Sequence, residues 1–130
     1  MSVGILLLTH AGLGRALAGA ARGVVGAVPL RLDIAEFANG DDAKDYAHRA
    51  ARAMRGLDDG EGVLLLVDLY GSTPSNVAAD IGRQGTQTRR VAGLNLPMLL
   101  RVLNYPEQTL DDLAATAAAG ARGGVVVDSA

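Results

Sequence analysis

The sequence predicts an α/β fold built on a doubly wound, mostly parallel sheet, and three observations predict it. Apolar runs of strand length alternate with helix-length segments along the whole chain. Two of the runs, "VGILLLT" (3–9) and "GVLLLVDL" (62–69), are almost continuously apolar, as strands covered on both faces are. The 17 glycines fall mostly between periodic segments, where turns need them.

Each element follows from its residues. The run 3–9 is the first strand. Residues 12–25, rich in Ala, Leu and Val with Arg15 and Arg22 interspersed, read as a helix. "VPLRLDI" (28–34) alternates and reads as a strand, placed toward an edge by Pro29 and by the alternation. "GDDAKDYAHRAARAMRG" (40–56) is the clearest helix, with Asp41 or Asp42 as cap and Gly56 as stop. Its apolar face is Ala43, Tyr46, Ala47, Ala50 and Met54; His48 falls among arginines and Lys44 on the solvated face.

The strand 62–69 leads into "GSTPSNVAADIG" (71–82), a helix with Thr73 as cap and Pro74 at its first position. "TRRVAGLN" (88–95) is a fourth strand, "LPMLLRVL" (96–103) a short helix from Pro97, and 109–121 a helix starting at Thr109 or Asp111. "GGVVVDS" (123–129) reads as a short last strand. The expected sheet order is 2-1-3-4 plus that last strand, with helices on both faces.

Length and composition bound the function. The 130 residues suit a single domain, residues 1–130, without repeat or linker. Hydrophobic residues make up 49% and charged residues 20%, which is globular composition. A net charge of −2, no Trp and a single Phe provide neither a basic footprint nor an aromatic platform for nucleic acid. The absence of cysteine excludes disulfides, thiolate metal sites and cysteine nucleophiles. No run approaches a membrane span, and no basic, apolar and cleavage-site series opens the chain, so a cytoplasmic protein without membrane insertion is expected.

The two most apolar strands should be central neighbours, and they end in His10 and Asp68. In the order 2-1-3-4 the connections from them leave in opposite directions, and the crevice between their carboxyl ends is where ligands bind. A carboxylate accepting one imidazole N–H fixes the tautomer and frees the other nitrogen as nucleophile or base. The helix start at Gly71, Ser72 and Thr73 offers N–H groups and hydroxyls at the same edge, a setting that favours phosphate, and "HAGLG" offers another. Each feature alone has a plain structural reading: a satisfied histidine, a helix-capping aspartate, an ordinary N-cap. Their joint placement at one switch point is what suggests phosphoryl transfer onto histidine.

"GILLLTHAGLG", "GVLLLVDLYGSTPSNVA" and "VAGLNLPMLL" occur in an order and spacing that resemble the enzyme IIA domains of the mannose family of the bacterial phosphoenolpyruvate-dependent sugar phosphotransferase system. The resemblance runs over nearly all of the chain. It implies a doubly wound fold and a homodimer joined partly through the last strand. It implies that His10 takes a phosphoryl group on Nε2 from the histidine-containing phosphocarrier protein and passes it to a histidine of an enzyme IIB component, and that Asp68 holds the other ring nitrogen. Where many transport-type members read Gly-Gly-Ser-Pro, this chain reads Gly71-Ser72-Thr73-Pro74, so either Ser72 or Thr73 could face the phosphate. No IIB domain is fused within these residues, so the acceptor is expected to be a separate protein, serving sugar uptake or regulation. Neither cofactor nor metal is expected.

Rival readings rest on particular residues. A two-component receiver needs an acidic pair after the first strand and a lysine near the last, whereas the first acidic residue is Asp33 and the only lysine Lys44. The phosphotransfer subunit of a dihydroxyacetone kinase shares the strand-end histidine, but "DLYGSTPSN" fits the mannose-type pattern better. A flavin-binding module would need stacking aromatics, and only Tyr70 falls near the site. A regulatory protein whose His10 phosphorylation gates partner binding differs only in the acceptor.

Overall fold

The computed structural model describes residues 2–28 and 30–129. The chain runs β1 (Gly4–His10), α1 (Leu13–Val25), β2 (Leu32–Phe37), α2 (Ala43–Leu57), β3 (Val63–Val67), α3 (Thr73–Ile81), β4 (Thr88–Ala92), α4 (Leu96–Leu103) and α5 (Leu110–Gly123). All pairings in the sheet are parallel, in the order β2-β1-β3-β4. The two apolar runs are therefore the inner strands, and Ile5 to Leu8 and Val63 to Val67 are wholly buried.

Alternation along these strands sorts the core into two layers. Ile5, Leu7, Leu64 and Leu66 face α1, α4 and α5, where Ala21, Met98, Leu99 and Leu113 meet them. Leu6, Leu8, Leu65 and Val67 face α2 and α3, where Tyr46, Met54, Val77 and Ile81 meet them. The core is thus aliphatic on one face and holds a single buried aromatic, Tyr46, on the other.

Several expected boundaries move. The second strand is 32–37, not 28–34: β1 pairs from Ile5↔Leu32 to His10↔Phe37, so the alternation that begins at Leu32 runs on to Phe37. Pro29, invoked for its edge placement, lies outside the described residues; β2 is nonetheless an edge strand. Asp42 caps α2 by accepting from the Lys44 N–H, and Gly56 lies inside that helix, which runs on to the buried Leu57. The last strand is not formed. Residues through Gly123 stay helical, and Val125, Val126 and Val127 are 73, 75 and 93% exposed, without a strand neighbour among the described residues. No helix among the described residues is long and apolar enough to cross a membrane.

Candidate functional site

The inner strands bring His10 and Asp68 together. The ladder between β1 and β3 ends at Leu8↔Val67, and the Asp68 carboxylate extends it by side chain. Its Oδ2 accepts the His10 main-chain N–H at 2.9 Å and lies 2.8 Å from Nδ1 of the same residue. A carboxylate can only accept, so in the neutral imidazole Nδ1 carries the proton and Nε2 has the lone pair. The His10 side chain is 45% exposed while that of Asp68 is only 8% exposed, so the ring stands in the open on a buried anchor. Asp68 Oδ1 is buried without a hydrogen-bond partner among the described residues, as is Ser75 Oγ on α3.

The expected helix cap on α3 shifts by one residue. Ser72, not Thr73, is the N-cap; its hydroxyl donates to the Leu69 carbonyl at 2.6 Å and receives the Ser75 N–H at 3.5 Å. An N-cap needs extended backbone, which Ser72 has, and Thr73 opens the helix with Pro74 behind it. Gly71 makes the turn before the cap at φ 85°, a region that favours glycine. Ser72 is thereby committed within its own loop. The partly buried Thr73 hydroxyl makes no hydrogen bond among the described residues.

The other helix start is already filled. Gly12 caps α1 without a side chain, and the missing acceptors come from elsewhere. Buried Thr9 accepts the Gly14 N–H at 2.9 Å and donates to the His10 carbonyl at 2.8 Å. Glu36, from the end of β2, accepts the Arg15 N–H at 2.9 Å and pairs with the Arg15 guanidinium at 3.3 Å. Gly14 permits this close approach: a Cβ there would lie 2.5 Å from Ile34 Cγ2 and 3.0 Å from Thr9 Oγ1. "HAGLG" is therefore no second anion cradle, because a carboxylate of the protein occupies it. Sequence reading missed Glu36, and the signal was present in the Gly12–Gly14 start, which lacks a Ser, Thr, Asp or Asn to cap itself.

The main-chain bond from Arg15, with Gly12 and the Arg15 charge adding to it, lowers the Glu36 pKa against an opposing contribution from burial. A carboxyl whose folded pKa is lowered stabilises the fold above its unfolded pKa and loses that contribution as pH falls through the folded value. Glu36→Gln is thus expected to lower Tm at neutral pH by a few degrees, and the gap to wild type should close below the ordinary glutamate value of 4.5. Melting curves from about pH 3, below the ordinary carboxyl values, to about pH 8, where carboxylates are ionised, check this; a gap that is constant with pH would remove the charge from the explanation.

Beneath the site, Tyr46 is buried, donates to the Ala35 carbonyl at 2.7 Å and meets Phe37 edge-on at 5.2 Å. Burial pushes its phenol well above the ordinary range; Arg49 opposes this and the charges of Asp68 and Glu36 add to it. Tyr46 is therefore a neutral, rigid floor. His48 is exposed on α2, as expected. Among the described residues no cluster of His, Asp or Glu gathers to hold a metal ion.

A doubly wound α/β domain with a carboxylate-held imidazole at its switch point belongs to the class of proteins that work at the carboxyl ends of their inner strands. Residues 4–118 match the family EIIA-man, described as PTS system fructose IIA component, and the chain belongs to that family. It is 35% identical over 78 residues to the PTS system fructose-specific EIIA component of Bacillus subtilis (strain 168), covering 59% of this chain and 53% of the relative. It is 33% identical over 92 residues to the PTS system mannose-specific EIIAB component of Escherichia coli (strain K12), covering 69% of this chain and 28% of the relative. The chain thus spans about half the length of the first relative and less of the second. Among solved structures, the mannose/sorbose specific IIA subunit of the phosphotransferase system from Enterococcus faecalis superposes with a TM-score of 0.90 at 25% identity, covering 100% of this chain and 97% of that one.

Proposed function

We propose that the chain is a phosphoryl carrier of the sugar phosphotransferase system, working in the cytoplasm. His10 accepts a phosphoryl group from the histidine-containing phosphocarrier protein and hands it to a histidine of an enzyme IIB component. The observation that carries this reading is the 2.8 Å contact between His10 Nδ1 and Asp68 Oδ2, which leaves Nε2 open to solvent as a nucleophile.

The step balances without another reactant. The Nε2 lone pair of His10 attacks phosphorus; the N–P bond to the donor imidazole breaks, and that ring keeps the electron pair. Nδ1 keeps its proton, so the phosphorylated ring is cationic, and the Asp68 carboxylate offsets the charge as it develops. In this reading Thr73 and the Gly71 N–H take the phosphoryl oxygens, since the Ser72 N–H donates to the Leu69 carbonyl at 3.4 Å. Ser72 serves this cradle indirectly, by holding the turn. The return step to the acceptor runs by the same path. The E. coli relative's name, EIIAB component, supports an IIB partner.

A homodimer completes the reading. β4 forms the open edge of the sheet opposite β2, and the exposed Val125–Val127 run follows α5. Such an edge and such a run are what a second copy would cover. One experiment tests both parts: incubation with phosphoenolpyruvate, enzyme I and the phosphocarrier protein, then native mass spectrometry. We expect two chains per particle and one acid-labile phosphate per chain, mapped to His10. An unlabelled protein, with the partners active on another acceptor, would overturn the carrier reading; a labelled monomer would overturn the dimer alone.

A further inference from the structure

We infer that Tyr70, with the exposed Leu69 and Leu13 that follow the same two strand ends, is the anchor on which the phosphohistidine-bearing donor protein docks; this rests on the carrier reading above. The His10 side chain is 45% exposed, and neither it nor Asp68 lines any of four surface cavities of about 290 to 470 Å³, so the nucleophile is presented on open surface. Leu13, Leu69 and Tyr70 are 47, 60 and 71% exposed, and each lies within three residues of His10 or Asp68. Large apolar side chains left in water around one reactive atom are what a protein contact covers.

Tyr70 is also held in place. The Arg90 guanidinium lies 5.1 Å from the Tyr70 ring centroid, and its Nη1 donates to the Ser75 carbonyl at 3.0 Å. The ring is thus stacked by a cation fixed to α3 while it stays 71% exposed. An exposed aromatic ordered in advance loses little freedom on binding and is the usual kind of anchor at the centre of an interface. The exposed Arg90 guanidinium adds positive charge beside this ring. That charge suits a partner whose phosphohistidine is anionic.

The test compares two phosphodonors. Phosphoramidate phosphorylates exposed histidines without a protein partner, whereas the phosphorylated carrier protein must dock. Tyr70→Ala is expected to raise the KM for the carrier protein roughly 10- to 30-fold, with kcat nearly unchanged and phosphoramidate labelling of His10 within about twofold of wild type. Tyr70→Phe keeps the ring and should restore carrier transfer; Arg90→Gln frees the ring and should give an intermediate KM. Equal losses with both donors would mean that Tyr70 acts on His10 itself, and no loss with either would mean that it is not the anchor; both overturn the proposal. A loss of dimer in Tyr70→Ala with carrier transfer intact would assign the patch to a second copy and overturn it too. Labelling of wild type by phosphoramidate but not by the carrier protein removes the docking proposal and leaves the phosphohistidine standing. Labelling by neither removes the carrier reading itself.

Discussion

His10→Ala is expected to remain folded and to take up no acid-labile phosphate from the phosphorylated carrier protein, while His48→Ala takes it up at a rate within about twofold of wild type. The contrast follows from where the two imidazoles sit. His10 has one nitrogen held by Asp68 and the other free. His48 stands exposed on α2, with no partner among the described residues to select a tautomer. The His10 main-chain N–H still reaches Asp68 Oδ2 after the substitution, so the connection between the strand ends survives. Asp68 loses its ring partner but gains access to water through the vacated space, and the expected cost is about 1 kcal/mol. Circular dichroism and a denaturant titration separate loss of fold from loss of nucleophile. Residual label on His10→Ala, or label lost in His48→Ala, would place the phosphoryl group elsewhere.

Much of this arrangement was legible in the residues, for reasons that also explain what was not. The runs 3–9 and 62–69 are apolar at every central position, which only strands covered on both faces tolerate, so their central placement and neighbouring ends followed. His10 and Asp68 came with them, because the parallel order sets both carboxyl ends on one side. Boundaries that depend on partners were less legible. β2 reaches Phe37 because β1 offers pairing partners as far as His10, which no local propensity records. Thr73 and Ser72 are comparable caps by composition, and the choice falls to the residue whose backbone is extended after the turn at Gly71. Glu36 reaches the start of α1 across 21 positions of sequence, so a local reading shows only that the Gly12–Gly14 start lacks a cap and not which residue supplies it. The valine run 125–127 has the composition of a strand, and within one copy it meets no strand among the described residues.

Asp68→Asn should separate chemistry from stability. The amide oxygen can accept the His10 main-chain N–H and the Nδ1 proton in place of Oδ2, so the geometry of the site can be kept. What disappears is the negative charge that offsets a ring becoming cationic when phosphorus bonds to Nε2. A hydrogen bond to a charged partner is about twice as strong as a neutral one, and the difference grows as the ring gains charge. The expected fall in phosphoryl transfer is roughly 10²- to 10⁴-fold, read in single-turnover experiments with saturating donor. Stability should change by no more than about 1 kcal/mol, because the substitution also removes a buried charge whose Oδ1 has no hydrogen-bond partner among the described residues. A carboxylate kept buried with half of its acceptors unused is a poor structural element and a good electrostatic one. Transfer within threefold of wild type would show that orientation alone suffices and that the charge of Asp68 is incidental. Slow transfer together with a large loss of stability would return Asp68 to a structural role. Slow transfer in an intact fold is the outcome that ties the orphaned oxygen, the held imidazole and the phosphoryl group into one mechanism.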